Sequence, residues 1–155
     1  MSRPDQTESV IKWKPLSDIP ETPCGDVLFS GSPEAMEVRA CYSRIRGNQP
    51  RDLLMIFHRI TAFAAYEEFA DPWYQEQPSI PRCDSSDWGK YLFPLLEVQH
   101  SRWLRSLPQH VSGGDPDEYR HLTLGDINGS LHIITNHILT EGWTVAWVDP
   151  LKDKG

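Results

Sequence analysis

Leu53-Leu54-Met55-Ile56-Phe57-His58-Arg59-Ile60-Thr61-Ala62-Phe63 is the stretch on which the fold turns. Leu54, Ile56, Ile60 and Ala62 fall on one alternating set and Met55, Phe57 and Phe63 on the other, so a strand through them is apolar on both faces. That pattern predicts a central strand covered on both sides, with Leu54, Ile56, Phe57 and Ile60 in the core. His58 would then be a satisfied core histidine, because no recognisable nucleophile lies near it in sequence.

Upstream, residues 26–30 and 36–42 read as two strands around the turn Gly31-Ser32-Pro33-Glu34. Met36, Val38, Ala40 and Tyr42 alternate with Glu37, Arg39 and Cys41, the pattern of one buried and one wet face. Residues 11–20 form an arm in which Trp13, Leu16 and Ile19 recur every three residues, kept irregular by Pro15 and Pro20. Downstream, residues 64–74 lead into a loop over 75–89, and residues 90–98 alternate as a strand that Pro94 assigns to an edge or a bulge. Ser101 can cap a short helix whose Trp103, Leu104 and Leu107 share a face, ending before Pro108.

Residues 119–124 and 131–138 flank Gly125-Asp126-Ile127-Asn128-Gly129. Asn-Gly in that setting signals a hairpin. Helical spacing of Ile127, Leu131, Ile134 and Ile138 competes with it, and Gly129 weighs against the helix. Residues 143–148 give a last strand. Thirteen prolines and ten glycines favour many short elements. The expected fold is therefore α+β, a mainly antiparallel sheet of about six or seven strands with one or two short helices. At 155 residues the chain is expected to be a single domain, with residues 1–12 and 149–155 as flexible tails.

Fifteen basic residues against twenty-two acidic ones leave a net charge of -7, and the basic residues are spread along the chain. A phosphate backbone would be repelled, so nucleic acid is not an expected partner and a basic protein is. The apolar runs fall far short of a membrane span, and residues 1–8 carry no apolar segment of a secretory leader. Cys24, Cys41 and Cys83 are widely spaced with no CxxC pair, which suits free thiols in the cytoplasm.

No G-x-S-x-G, G-x-x-x-x-G-K-[ST], G-x-G-x-x-G or H-E-x-x-H occurs. Neither a strand nor a helix lets His132 and His137, five apart, share a metal, so no metal and no cofactor are expected. His100, His110 and His121 read as solvated positions in or beside loops. The acidic residues beside aromatic ones are more suggestive. Glu67, Glu68 and Asp71 lie next to Trp73 and Tyr74, and Asp84 and Asp87 lie beside Trp88, the combination of charge and rigid anchors that a surface for a basic partner would use. Glu67, Glu68, Asp71, Trp73, Asp84 and Asp87 are the candidate partner-binding residues. The competing reading makes Phe69 and Trp73 core and leaves the carboxylates to solvate a loop.

At Trp13-Lys14-Pro15-Leu16-Ser17-Asp18-Ile19-Pro20 and at Leu96-Glu97-Val98-Gln99-His100-Ser101-Arg102-Trp103-Leu104 the chain resembles a group of small bacterial proteins, many of which look like immunity partners of secreted polymorphic toxins. In that group a strand ending V-E-N-S-x-[WY]-L runs into a short helix, then a loop and a hairpin. The chain departs from the pattern at Gln99-His100, and the shared motifs concern packing and turns, so no functional residue is carried over. The resemblance implies a non-enzymatic immunity-type protein that neutralises a basic toxin, such as a nuclease, by protein contact. The alternative is a small enzyme or ligand-binding domain using His58 or His121 with a carboxylate in a cleft.

Overall fold

The computed structural model describes residues 7–45, 47–67, 70–77, 79–107, 119–126, 128–136 and 143–151. Its strands are β1 (Ser9–Lys12), β2 (Val27–Ser32), β3 (Ala35–Ala40), β4 (Asp52–His58), β5 (Ile60–Glu67), β6 (Leu95–Gln99), β7 (Tyr119–Asp126), β8 (Gly129–Asn136) and β9 (Trp143–Val148). Two short α-helices, α1 (Pro72–Glu76) and α2 (Arg102–Ser106), and a 3-10 turn at Tyr42–Arg44 complete the regular structure among the described residues. The strands form two antiparallel sheets, one ordered β1-β6-β7-β8-β5 and the other β2-β3-β4-β9. A β-rich fold with minor helices is thus as expected, with nine strands among the described residues rather than six or seven.

The stretch that reads as one two-sided strand is two strands in different sheets. Arg59 adopts φ 66°, the left-handed region that an arginine rarely enters, and there the chain passes from β4 to β5. The β2–β3 turn holds the hinge: Arg59 N–H donates to the Glu34 carbonyl at 3.2 Å and Ile60 N–H to that of Pro33 at 2.6 Å. Because the hinge restarts the alternation, apolar residues occupy both sets although each strand has one core face. Leu53, Met55 and Phe57 are buried on β4 and Ile60 on β5, whereas Leu54 and Ile56 are half-buried and His58 is exposed. Two expectations are thereby corrected, the full burial of Leu54 and Ile56 and the core histidine at 58.

The second additional strand comes from residues read as tail. Residues 9–12 pair with β6, from Ser9 opposite Gln99 to Lys12 opposite Leu96. The arm that follows packs Trp13 between Phe57 and Trp143, at ring separations of 6.4 and 5.9 Å. The strand expected over 90–98 starts only after Pro94, leaving Leu92 with an isolated bridge to Arg82. Residues 119–136 form the hairpin, not a helix, although Ile127 and Ile138 lie outside the described residues. Asp126 organises its turn: Oδ1 accepts from the N–H groups of Asn128 and Gly129, and Oδ2 from Val27 N–H. Gly129 is required there, because a Cβ would lie 2.2 Å from the Tyr66 carbonyl oxygen across the ladder.

One core fills the space between the sheets, with Val38, Met55 and Phe57 from one and Leu122, Leu131 and Ile133 from the other. Truncating Phe57 to Ala should cost about 3–5 kcal/mol, while Ile56→Ala should cost only about 1 kcal/mol. Urea denaturation of both variants checks this, and equal losses would return Ile56 to the core.

Candidate functional site

Four polar side chains cross the outer face of the first sheet in a continuous chain. Ser101 Oγ lies 2.8 Å from His121 Nδ1, His121 Nε2 lies 2.8 Å from His132 Nδ1, and His132 Nε2 lies 2.5 Å from Asp71 Oδ2. His121 and His132 are carried on one face by β7 and β8, where His121 is opposite Ile134 and His132 opposite Thr123, a diagonal pair two residues out of register. Ser101 caps α2 by accepting from Leu104 N–H at 3.1 Å, and Asp71 caps α1 by accepting from Trp73 N–H at 2.9 Å. Each end of the chain therefore fixes the start of a helix.

One order of protons satisfies every group: Ser101 O–H donates to His121 Nδ1, His121 Nε2–H to His132 Nδ1, and His132 Nε2–H to Asp71. In that order His121 is the neutral Nε2–H tautomer and Asp71 is ionised. Ser130 Oγ donates a further bond to Asp71 Oδ2 at 2.6 Å. Burial would raise the Asp71 carboxyl, but the bonds from His132 and Ser130 outweigh it and hold the group below the ordinary carboxylate range. Burial, and after it the neighbouring His132, push His121 down to about 3, with Asp71 opposing.

Aromatic rings close over the imidazoles. Trp73 stands 5.3 Å from His132 and Trp103 5.2 Å from His121, with Tyr66 and Tyr74 at the edges of His132. Glu8 fastens the lid: Oε1 accepts from Trp73 Nε1 at 2.9 Å and from Gln77, and Oε2 accepts from Arg102 N–H. Ser101, His121, His132 and Asp71 are all buried. Chemically, the arrangement is a closed network of satisfied polar groups that clamps both helices to the sheet.

Its Asp71 end borders an open hollow of about 720 Å3 between the β7–β8 turn, α1 and residues 80–94. Tyr74, Tyr91, Leu92 and Phe93 supply apolar wall, and the charged lining among the described residues is Glu67, Asp71, Asp126 and Lys90. Burial pushes the Tyr74 hydroxyl up to about 12, so it stays protonated, 3.4 Å from Thr123 Oγ1. Among the described residues no group of three or more His, Cys, Asp or Glu is arranged to hold a metal.

Of the residues singled out in the sequence, Glu67 and Asp71 line this hollow, Glu67 exposed and Asp71 buried. Trp73 is half-buried over the histidines. Asp84 belongs to a separate cluster, paired with Lys12 at 3.1 Å beside Glu21, and Asp87 is exposed on the same loop. Glu68 lies outside the described residues. His121, expected to be solvated except in the alternative cleft reading, is buried, and Glu8, placed in a tail, holds the Trp73 ring of the lid. The alternation of β7 and β8 was legible, but the covering of their second face by two five-residue helices was not. No protein-family model, curated protein or solved structure matches this chain.

Neutral His121 makes stability depend on pH. Its folded value near 3 lies below the ordinary 6.5, so between those values the unfolded chain binds a proton that the folded chain refuses. The contribution is fully present above about pH 6.5 and falls by up to about 1.4 kcal/mol per pH unit as the medium is acidified towards pH 3. Denaturation of the wild type and of His121→Gln from pH 7.5 to 4 should show the gap between them shrinking on acidification. A gap independent of pH would mean that folding leaves the proton affinity of His121 unchanged, and one that widens on acidification would mean that His121 is charged in the fold.

Proposed function

We propose that the chain is a non-enzymatic binding protein of the immunity type, which holds a basic protein partner, such as a nuclease toxin, by contact around the open hollow. The observation that carries this reading is the hollow's lining, where apolar wall meets three carboxylates and one lysine. Exposed Tyr91 and Leu92 at the rim add area suited to a protein contact. The net charge of -7 favours fast capture of a positively charged partner. The reading includes a cytoplasmic address, which the free thiols of Cys24, Cys41 and Cys83 suit.

A second reading, a ligand-binding domain or small enzyme with a histidine–carboxylate cleft, draws on Asp71 and Ser130, which line the hollow while Asp71 is bonded to His132. Both helix caps and both imidazoles are committed within the network, and that favours the first reading. The two differ in where a substitution acts. Asp71→Asn would abolish small-ligand uptake under the second, whereas Glu67 and its exposed neighbours govern association under the first.

The test uses the product of the reading frame directly upstream as the probe. Association should slow roughly tenfold when Glu67 and Asp87 are both replaced by Lys, and the difference should shrink between about 50 and about 300 mM salt. Surface plasmon resonance on variants with wild-type circular dichroism measures it. An unchanged association rate at low salt would remove these carboxylates from the contact.

A further inference from the structure

The two sheets meet along one side without pairing. β2 is the end strand of its sheet and β5 of the other, and among the described residues neither has a second strand partner. They are tied at one end by the Ile60 N–H bond to Pro33 and at the other by Val27 N–H to Asp126. Between the ties lies a hollow of about 300 Å3, lined by Val27 and Phe29 of β2 and Ala65, Tyr66 and Glu67 of β5.

The register shows that this gap opens onto the core side of both sheets. Phe29 is directly opposite Val38, and Phe63 directly opposite Ile133. Directly opposed residues share a face, and Val38 and Ile133 are fully buried in the core between the sheets. Phe29 and Phe63 thus stand on the core-facing side, yet each is 43% exposed. Main-chain groups are free there too. The Asp26 carbonyl accepts from Cys41 N–H while Val27 N–H turns to Asp126, so by the two-residue alternation the N–H and C=O of Phe29 also point away from β3.

We propose that this gap is a strand-acceptor groove, taking one extended segment of a basic partner protein that hydrogen-bonds to the edge of β2 or β5. The proposal rests on the preceding reading of the chain as a binder of a basic protein and names how part of that partner is held. Charge selects the occupant: among the described residues the hollow presents Glu67 and Asp126 and no cation. Both Asp126 oxygens are engaged by backbone N–H groups, which leaves exposed Glu67 as the free carboxylate. The matching segment turns apolar side chains towards Phe29 and Ala65 and, on that same face, a lysine or arginine towards Glu67.

An acetylated, amidated peptide of about seven residues, long enough for one strand, with valines on the face turned to Phe29 and Ala65, a lysine ending that face at Glu67 and threonines between them, is the probe, followed by amide NMR and hydrogen exchange on the full chain. Binding should shift and protect amides of residues 27–32 and 60–67. The same peptide N-methylated at alternate positions keeps its charge and side chains but should bind at least roughly tenfold more weakly, because ladder donors are lost. Glu67→Lys should weaken the unmodified peptide by a similar factor, and Ala65→Lys is the second variant should the first fail to fold. Equal binding of both peptides, or shifts at Tyr74 and Leu92 instead, would overturn the groove. Slow exchange at β2 and β5 in a self-associated protein without peptide would make a second copy the occupant and overturn it equally. If the upstream gene's product binds while the peptide leaves β2 and β5 unchanged, the groove fails and the binding-protein reading stands. If that product does not bind either, both fail.

Discussion

The left-handed turn at Arg59 is the constraint from which the architecture follows. A non-glycine residue held at positive φ costs on the order of 1 kcal/mol, and it persists here because two hydrogen bonds from the β2–β3 turn fix the residues around it. Without that turn, β4 and β5 would continue as one long strand in one sheet. With it, Phe57 and Ile60 both reach the core, from different sheets, and that core is shared. The same turn brings β5 alongside β2 at one end only, so the gap between the two edges is a direct consequence of the hinge.

The buried Ser101–His121–His132–Asp71 chain acts on the opposite face. Leucines there would bury more apolar area, and a polar network gains over them only if every member is satisfied. It is satisfied, because the hydroxyl and both imidazoles each donate one bond and accept one, and the Asp71 carboxylate accepts at the end of the chain. Such a chain admits one arrangement, since shifting β7 against β8 by one residue would send one imidazole to the core side. The network therefore specifies register and seats the helix caps, and it forms the wall against which the larger hollow is shaped.

Sequence patterns carried the hairpin, the cap at Ser101, the face of β3 and the last strand, because each rests on local chemistry within a few residues. They did not carry the split of residues 53–63. Alternation counts parity and cannot register a hinge that resets it, and Arg59 has no glycine to announce it. Nor could they place Asp71. Its position among carboxylates and aromatics suits a solvated binding surface, but Pro72 after it makes it equally a helix N-cap, and in the fold the cap and the bond to His132 take it inside. Glu67 and Asp71 both line the larger hollow, yet only Glu67 is exposed. Residues 9–12 were unreadable as a strand because their partner, β6, lies some ninety positions away.

Unpaired edges are ordinarily a hazard, because they template pairing with further copies. The end of the gap near Pro33 is guarded: the register of β5 shifts between Ile60 and Ala62, and a proline follows β2 directly. The Val27–Glu67 end has neither device. What opposes self-pairing there is charge, since a second copy would bring another net -7 and another Glu67 towards the first. The same repulsion reverses sign for a basic strand. An edge left open at its acidic end and blocked at the other thus discriminates by charge between a copy of itself and a cationic partner, which is the selectivity a charge-steered binder requires.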